Sequence, residues 1–159
     1  MKGKTCSFIY HRNTFILPRD SILEEMKNIM VDLVNKGVTN FTYRCEDEFD
    51  FKLAFMLSAL KRDYANIRLT CVCSTKLHNN KNHTKSSVEY SFAKGISHKL
   101  VIISDEHTDS RMSHLNEYMV DSADYVVVYW DGRHCGDTYN ALMYAKDLNK
   151  DIIYLHNEL

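Results

Sequence analysis

The sequence predicts a doubly wound α/β domain built on a single, mainly parallel sheet. Three observations carry this. Short β-prone runs alternate with stretches of helical periodicity along all 159 residues. The run Tyr125-Val126-Val127-Val128-Tyr129-Trp130 is apolar without alternation, as befits a strand covered on both faces. Directly after it come Asp131-Gly132 and Gly136-Asp137-Thr138, a polar, glycine-bearing turn beyond a strand's carboxyl end, where such sheets hold their ligands. A chain of this length fits one domain, residues 1–159, with no repeat or linker.

The elements follow in order. Thr5 to Tyr10 is a β-prone run. Ser21 and Glu24 have capping-box spacing, and Ile22, Met26, Ile29, Met30, Leu33 and Val34 continue at helical spacing to Gly37, which can close the helix with positive φ. Val38 to Tyr43 is a strand, Phe49 to Arg62 a helix with Leu53, Leu57 and Leu60 inward, and Ile67 to Cys73 a third strand. A polar stretch, residues 75–84, leads to a helix over Ser86 to Lys94 ended by Gly95. Leu100 to Ile103 is a strand and Ser110 to Ser122 a helix carrying Met112, Leu115, Tyr118 and Met119. After the strand Tyr125 to Trp130, Asp137 or Thr138 is expected to cap a helix with Ala141, Leu142, Ala145 and Leu148 inward, before a last strand, Ile152 to Leu155.

Composition narrows the function classes. With 20 Lys+Arg against 21 Asp+Glu there is no net field to attract nucleic acid, and the stretch Lys76 to Lys85 reads as a solvated loop. No apolar run approaches the roughly 20 residues of a membrane span, and the first residues carry no signal-peptide core, so a cytoplasmic protein is expected. Five cysteines, Cys6, Cys45, Cys71, Cys73 and Cys135, are an odd number and fall in strand-like segments, which suits reduced thiols. Cys71 and Cys73 are expected to point to opposite faces of their strand, and no metal site is expected there. Met and Tyr on several faces of the helices Met112 to Met119 and Tyr139 to Tyr144 suggest adaptable surface for a homodimer.

In such a sheet the turns after the strands share one edge. His11-Arg12-Asn13, Arg44 to Glu48, Ser74-Thr75, Ser104 to His107 and Asp131 to His134 are therefore expected to converge. Arg12 and His11 suit a phosphate, carbonyl or ribose, and Asp50 suits a ribose hydroxyl or its own helix dipole. The aromatic side chains Tyr10, Tyr43, Tyr129 and Trp130 are read as core, with base stacking as the alternative.

The same residues, His11-Arg12, Gly37-Val38-Thr39-Asn40-Phe41, Phe49-Asp50, Ile67-Arg68-Leu69, Asn116-x-x-Met119-Val120-Asp121-x-Ala123-Asp124, Gly136-x-Thr138 and Tyr144-Ala145, give the chain a likeness to a known family. It resembles the YpsA-type branch of the SLOG superfamily over nearly its whole length. The resemblance implies a Rossmann-like fold and a nucleotide or nucleotide-derived ligand held near His11, Arg12, Arg44, Asp50, Asn116, Asp121, Asp131, Gly132, Gly136, Asp137 and Thr138. The chain departs from the family at its turns, with Tyr10 before His11-Arg12, Arg44-Cys45-Glu46-Asp47-Glu48 for a glycine-rich turn, Asp137 for a second glycine and Leu115 for an arginine. Three successive carboxylates repel an anion where glycine amides would bind it, so either Arg12, Arg44 and Arg133 neutralise the ligand or the phosphate position is altered or lost.

The leading expectation is a cofactor-free protein that senses, carries or sequesters a nucleotide-derived molecule. An N-glycosidase or nucleoside transferase is the first alternative, with Glu46, Asp47, Glu48 and Asp105 as candidate acids or nucleophiles. The Pro-Gly-Gly-x-Gly-Thr segment of the related phosphoribohydrolases, a Walker loop and a Gly-x-Ser-x-Gly elbow are all lacking. A degenerate, non-catalytic interaction module is the second alternative.

Overall fold

The computed structural model describes residues 3–10, 20–46, 48–74, 84–104, 112–130 and 132–155. Six parallel strands form one sheet: β1 (Lys4–Tyr10), β2 (Val38–Arg44), β3 (Arg68–Ser74), β4 (Lys99–Ile103), β5 (Tyr125–Tyr129) and β6 (Asp151–Tyr154), in the order β4-β3-β2-β1-β5-β6. The helices among the described residues are α1 (Asp20–Asn35), α2 (Glu48–Asp63), α3 (Thr84–Ile96), α4 (His114–Asp121) and α5 (Asp137–Asp147).

Two cores result. Parallel strands need crossovers, and their usual right hand sends α1, α2 and α3 to one face and α4 and α5 to the other. On the first face Phe8, Phe41, Tyr43, Met26, Leu33, Leu53 and Leu57 are buried together. On the second, Ile9, Val72, Val126 and Val128 meet Met112, Leu115, Met119, Ala141 and Leu142. Met112 and Met119, expected to offer surface for self-association, are thus spent on the protein's own core.

Most boundaries agree with the sequence reading to within two residues, and the departures have local causes. Gly37 does close α1, at φ 98°, with its N–H on Val34 O at 3.0 Å. Asp20 is already helical, so Ser21 lies inside the first turn of α1 and not at its cap. Gly95 does not end α3, which runs on to Ile96; there the Ser97 hydroxyl donates to Ala93 O at 2.8 Å and satisfies a terminal carbonyl. The stretch 75–83 and the expected helix start at Ser110 lie outside the described residues.

The expectation for Cys71 and Cys73 is corrected. Residues two apart on a strand share a face, so Val72 enters the second core while Cys71 and Cys73 join Cys45 on the first. A hydrogen bond to Cys71 and burial both push the Cys45 thiol far above its usual range, so it stays an inert, protonated group. Among the described residues no three or more His, Cys, Asp or Glu side chains are arranged so that they could hold a metal ion.

Candidate functional site

Strand order fixes where the sheet reverses direction. From β1 the chain steps outward through β2 and β3 to β4, then returns past β1 to β5 and β6, so β1 and β5 are neighbours whose connections leave in opposite directions. Their carboxyl ends, Tyr10 and Tyr129, mark the point where strand order reverses, which is where doubly wound sheets in general hold a ligand.

On the α1–α3 side of this edge stands a buried charge pair. Arg44 ends β2, and its Nη2 donates to Tyr10 O at 3.2 Å while the guanidinium lies over the Tyr10 ring, 4.4 Å from its centroid. Its Nε is 3.9 Å from Asp50 Oδ1, and Asp50 Oδ2 accepts the Glu46 N–H at 2.8 Å, closing the turn into α2. Both side chains are almost wholly buried. Burial of that kind requires a partner, and each supplies the other's charge. Arg44, expected to neutralise a phosphate, is therefore tied to Asp50, and Asp50 serves the start of its own helix.

On the opposite side three residues knot two helix starts together. Ser113 is the N-cap of α4, its Oγ accepting the Asn116 N–H at 3.1 Å. Asp137, in the first turn of α5, reaches across: Oδ1 accepts the Ser113 N–H at 2.7 Å, and Oδ2 accepts from Ser113 Oγ at 3.2 Å and from Asn116 Nδ2 at 2.6 Å. The sequence reading had Asp137 or Thr138 capping α5. Instead the N-cap is Gly136, at φ 97° and without a side-chain cap bond, Thr138 is buried, and the Asp137 carboxylate services α4. Asn116, matched by the resemblance, is one leg of this knot. Ser113 was missed, although a serine three residues before Asn116 has the spacing of a cap.

The turn between β5 and α5 carries an aromatic group. Trp130 Nε1 donates to Arg133 O at 2.7 Å, which fixes the indole, and His134 and Tyr139 stand around it at centroid distances of 5.3 Å and 6.1 Å. His134 and Tyr139 are themselves 5.4 Å apart. Tyr10, Tyr43 and Tyr129 are core, as read, but Trp130 is only half-buried and belongs to the turn. His134 lies in the turn Asp131 to His134 that was expected at this edge, whereas Tyr139 was read only as surface for self-association. Gly132, at φ 90°, and residues 133–136 are exposed.

Not every candidate gathers here. Asp121 lies at the far end of α4, where it bonds the Tyr144 hydroxyl beside Asp124 and the start of β1, at the amino edge of the sheet. That bond raises the Tyr144 pKa to about 12. Glu46 is half-buried beside Asp50, and only the backbone of Glu48 is described. His11, Arg12, Asp47, Asp105 and Asp131 lie outside the described residues.

Among the described residues, the Tyr10 hydroxyl and Asn116 Oδ1 are buried polar atoms at this edge without a hydrogen-bond partner, in residues 2% and 1% exposed. An unmet buried polar atom costs about 1–3 kcal/mol. Neither a scan against protein-family models nor a search of curated proteins finds a match to this chain.

Proposed function

We propose that this chain is a cytoplasmic, SLOG-type protein that binds a nucleotide-derived small molecule beyond the carboxyl ends of β1 and β5, as a sensor, carrier or sequestering protein. The observation that carries the reading is the pair of unmet polar atoms, Tyr10 Oη at the end of β1 and Asn116 Oδ1 in the first turn of α4, one on each face of the sheet at the edge where strand order reverses. The sequence resemblance and the aromatic turn at Trp130 point the same way. A catalytic reading requires a carboxylate in reach of the ligand; of the described carboxylates at this edge Asp50 and Asp137 are committed to backbone and side-chain donors, which leaves Glu46, half-buried beside Asp50, as the described candidate.

The test is thermal unfolding with nucleosides, nucleotides and ADP-ribose, followed by product analysis. A ligand at a hundred times its Kd adds about 2.7 kcal/mol, which for a domain of this size raises Tm by about 5–11 °C. A shift with intact ligand supports binding. Release of free base would move the reading to glycosidic cleavage, and no shift with any of them would overturn it.

A further inference from the structure

We infer that the β5–α5 end of this site takes the uncharged part of its ligand, with a ribose hydroxyl on Asn116 Oδ1 and the base against Trp130, His134 and Tyr139, and that it excludes phosphate. This rests on the binding function proposed above and specifies its chemistry.

A helix start binds phosphate when its amides are free to point at the anion. At α4 they are not. The Ser113 N–H is held by Asp137 Oδ1 at 2.7 Å and the Asn116 N–H by Ser113 Oγ at 3.1 Å, so a carboxylate of the chain itself occupies an anion's place. Any phosphate brought to this turn meets that carboxylate at short range, where like charges repel. The α5 start, with Gly136 as an open cap, lies directly beside the same carboxylate.

The side-chain amide of Asn116 is oriented by the knot. Because Nδ2 must face the carboxylate of Asp137, 2.6 Å away, Oδ1 is the end left over, and it is an acceptor in a side chain 1% exposed. An acceptor calls for a donor. A ribose hydroxyl supplies one and a fully ionised phosphate does not. Asp137, which holds the Asn116 amide, is two residues before Tyr139, and Tyr139 stands with Trp130 and His134 at centroid distances of 5.3–6.1 Å, with the indole N–H already satisfied by Arg133 O. Satisfied aromatic rings and an unmet acceptor match a nucleoside, whose base stacks and whose sugar donates.

The experiment is two-dimensional NMR of the full chain, following the Trp130 indole and the Asn116 side-chain amide during titration with adenosine, 2′,3′-dideoxyadenosine, AMP and inorganic phosphate. Adenosine is expected to shift both resonances, dideoxyadenosine to bind at least about tenfold more weakly for want of a donor to a buried acceptor, and phosphate to move neither. In Asn116→Ala, checked by circular dichroism to be folded, the difference between the two nucleosides should vanish. Trp130→Leu is a second variant, expected to weaken adenosine without erasing that difference. If AMP binds while both resonances stay still, if phosphate displaces adenosine from them, or if the two nucleosides bind equally, this inference falls while the binding function stands. If no nucleoside, nucleotide or ADP-ribose binds at all, both fall.

Discussion

Replacing Asp137 by Ala tests the knot that organises the candidate site. The substitution removes three hydrogen bonds, to Ser113 N, Ser113 Oγ and Asn116 Nδ2, at 2.7, 3.2 and 2.6 Å. Each bond to a charged group contributes about 1.5–3 kcal/mol, but three that share one carboxylate do not add in full. The half-buried setting lets water reach part of the knot, while the buried Asn116 amide keeps its desolvation cost. A loss of about 3 kcal/mol is the expected net effect, or a fall in Tm of about 6–12 °C for a domain of this size. Urea unfolding followed by circular dichroism measures it. Asp147→Ala, an exposed carboxylate later in α5, serves as the control and should stay within about 0.5 kcal/mol of the parent. The double variant with Asn116→Ala should show a coupling of about 1–3 kcal/mol. A loss at Asp137 no larger than the control, or additive behaviour with Asn116, would refute the reasoning that this carboxylate joins α4 to α5.

Other consequences are open to measurement. Arg44→Met leaves Asp50 buried without its countercharge and should destabilise by about 3–5 kcal/mol, whereas Arg44→Met with Asp50→Leu should recover much of the loss, as read by denaturant midpoints. His98 Nδ1 accepts the Leu69 N–H at 3.2 Å at the head of the β3–β4 ladder, which requires an unprotonated nitrogen. Desolvation, then Lys61 and Arg68, lower its pKa below the usual 6.5, so the unfolded chain binds the proton more readily. Stability from this contact is therefore complete above about pH 6.5 and lost as pH falls through the lower, folded value. Urea unfolding at successive pH values should show that slope in the parent and lose it in His98→Gln. Leu57→Ala, wholly buried beneath α2, should cost about 2–5 kcal/mol in the same assay.

The periodicities carried the fold because each reports a physical constraint met locally. An unalternating run such as Tyr125 to Tyr129 belongs only to a strand covered on both sides, and the 3.6-residue spacing of Met26, Met30 and Leu33 only to a helix with one buried stripe. Gly37 was legible for the same reason, since positive φ strains any residue with a Cβ. Where two local rules compete, reading along the chain fails. Gly95 is tolerated inside α3 because Ser97 ends the helix, and Ser21 has cap spacing within a helix that has already begun.

The partners of polar groups were decided by tertiary structure alone. From sequence, Arg44 is a cation beside three acids and Asp137 a carboxylate at a helix start, and both descriptions suit a phosphate site. Folding brings Asp50, six residues on, under Arg44, and sets Asp137 against Ser113 and Asn116, more than 20 residues away. Cys71 and Cys73 share a face by the two-residue period of a strand alone, but their meeting with Cys45 depends on which strands are neighbours, and the separation of Asp121 from Asn116 on the direction of α4 across the sheet. Burial of apolar surface needs only a pattern, and a pattern is written in one dimension. A hydrogen bond or ion pair needs a particular partner at a particular distance, and that distance exists only once the chain has crossed its own sheet.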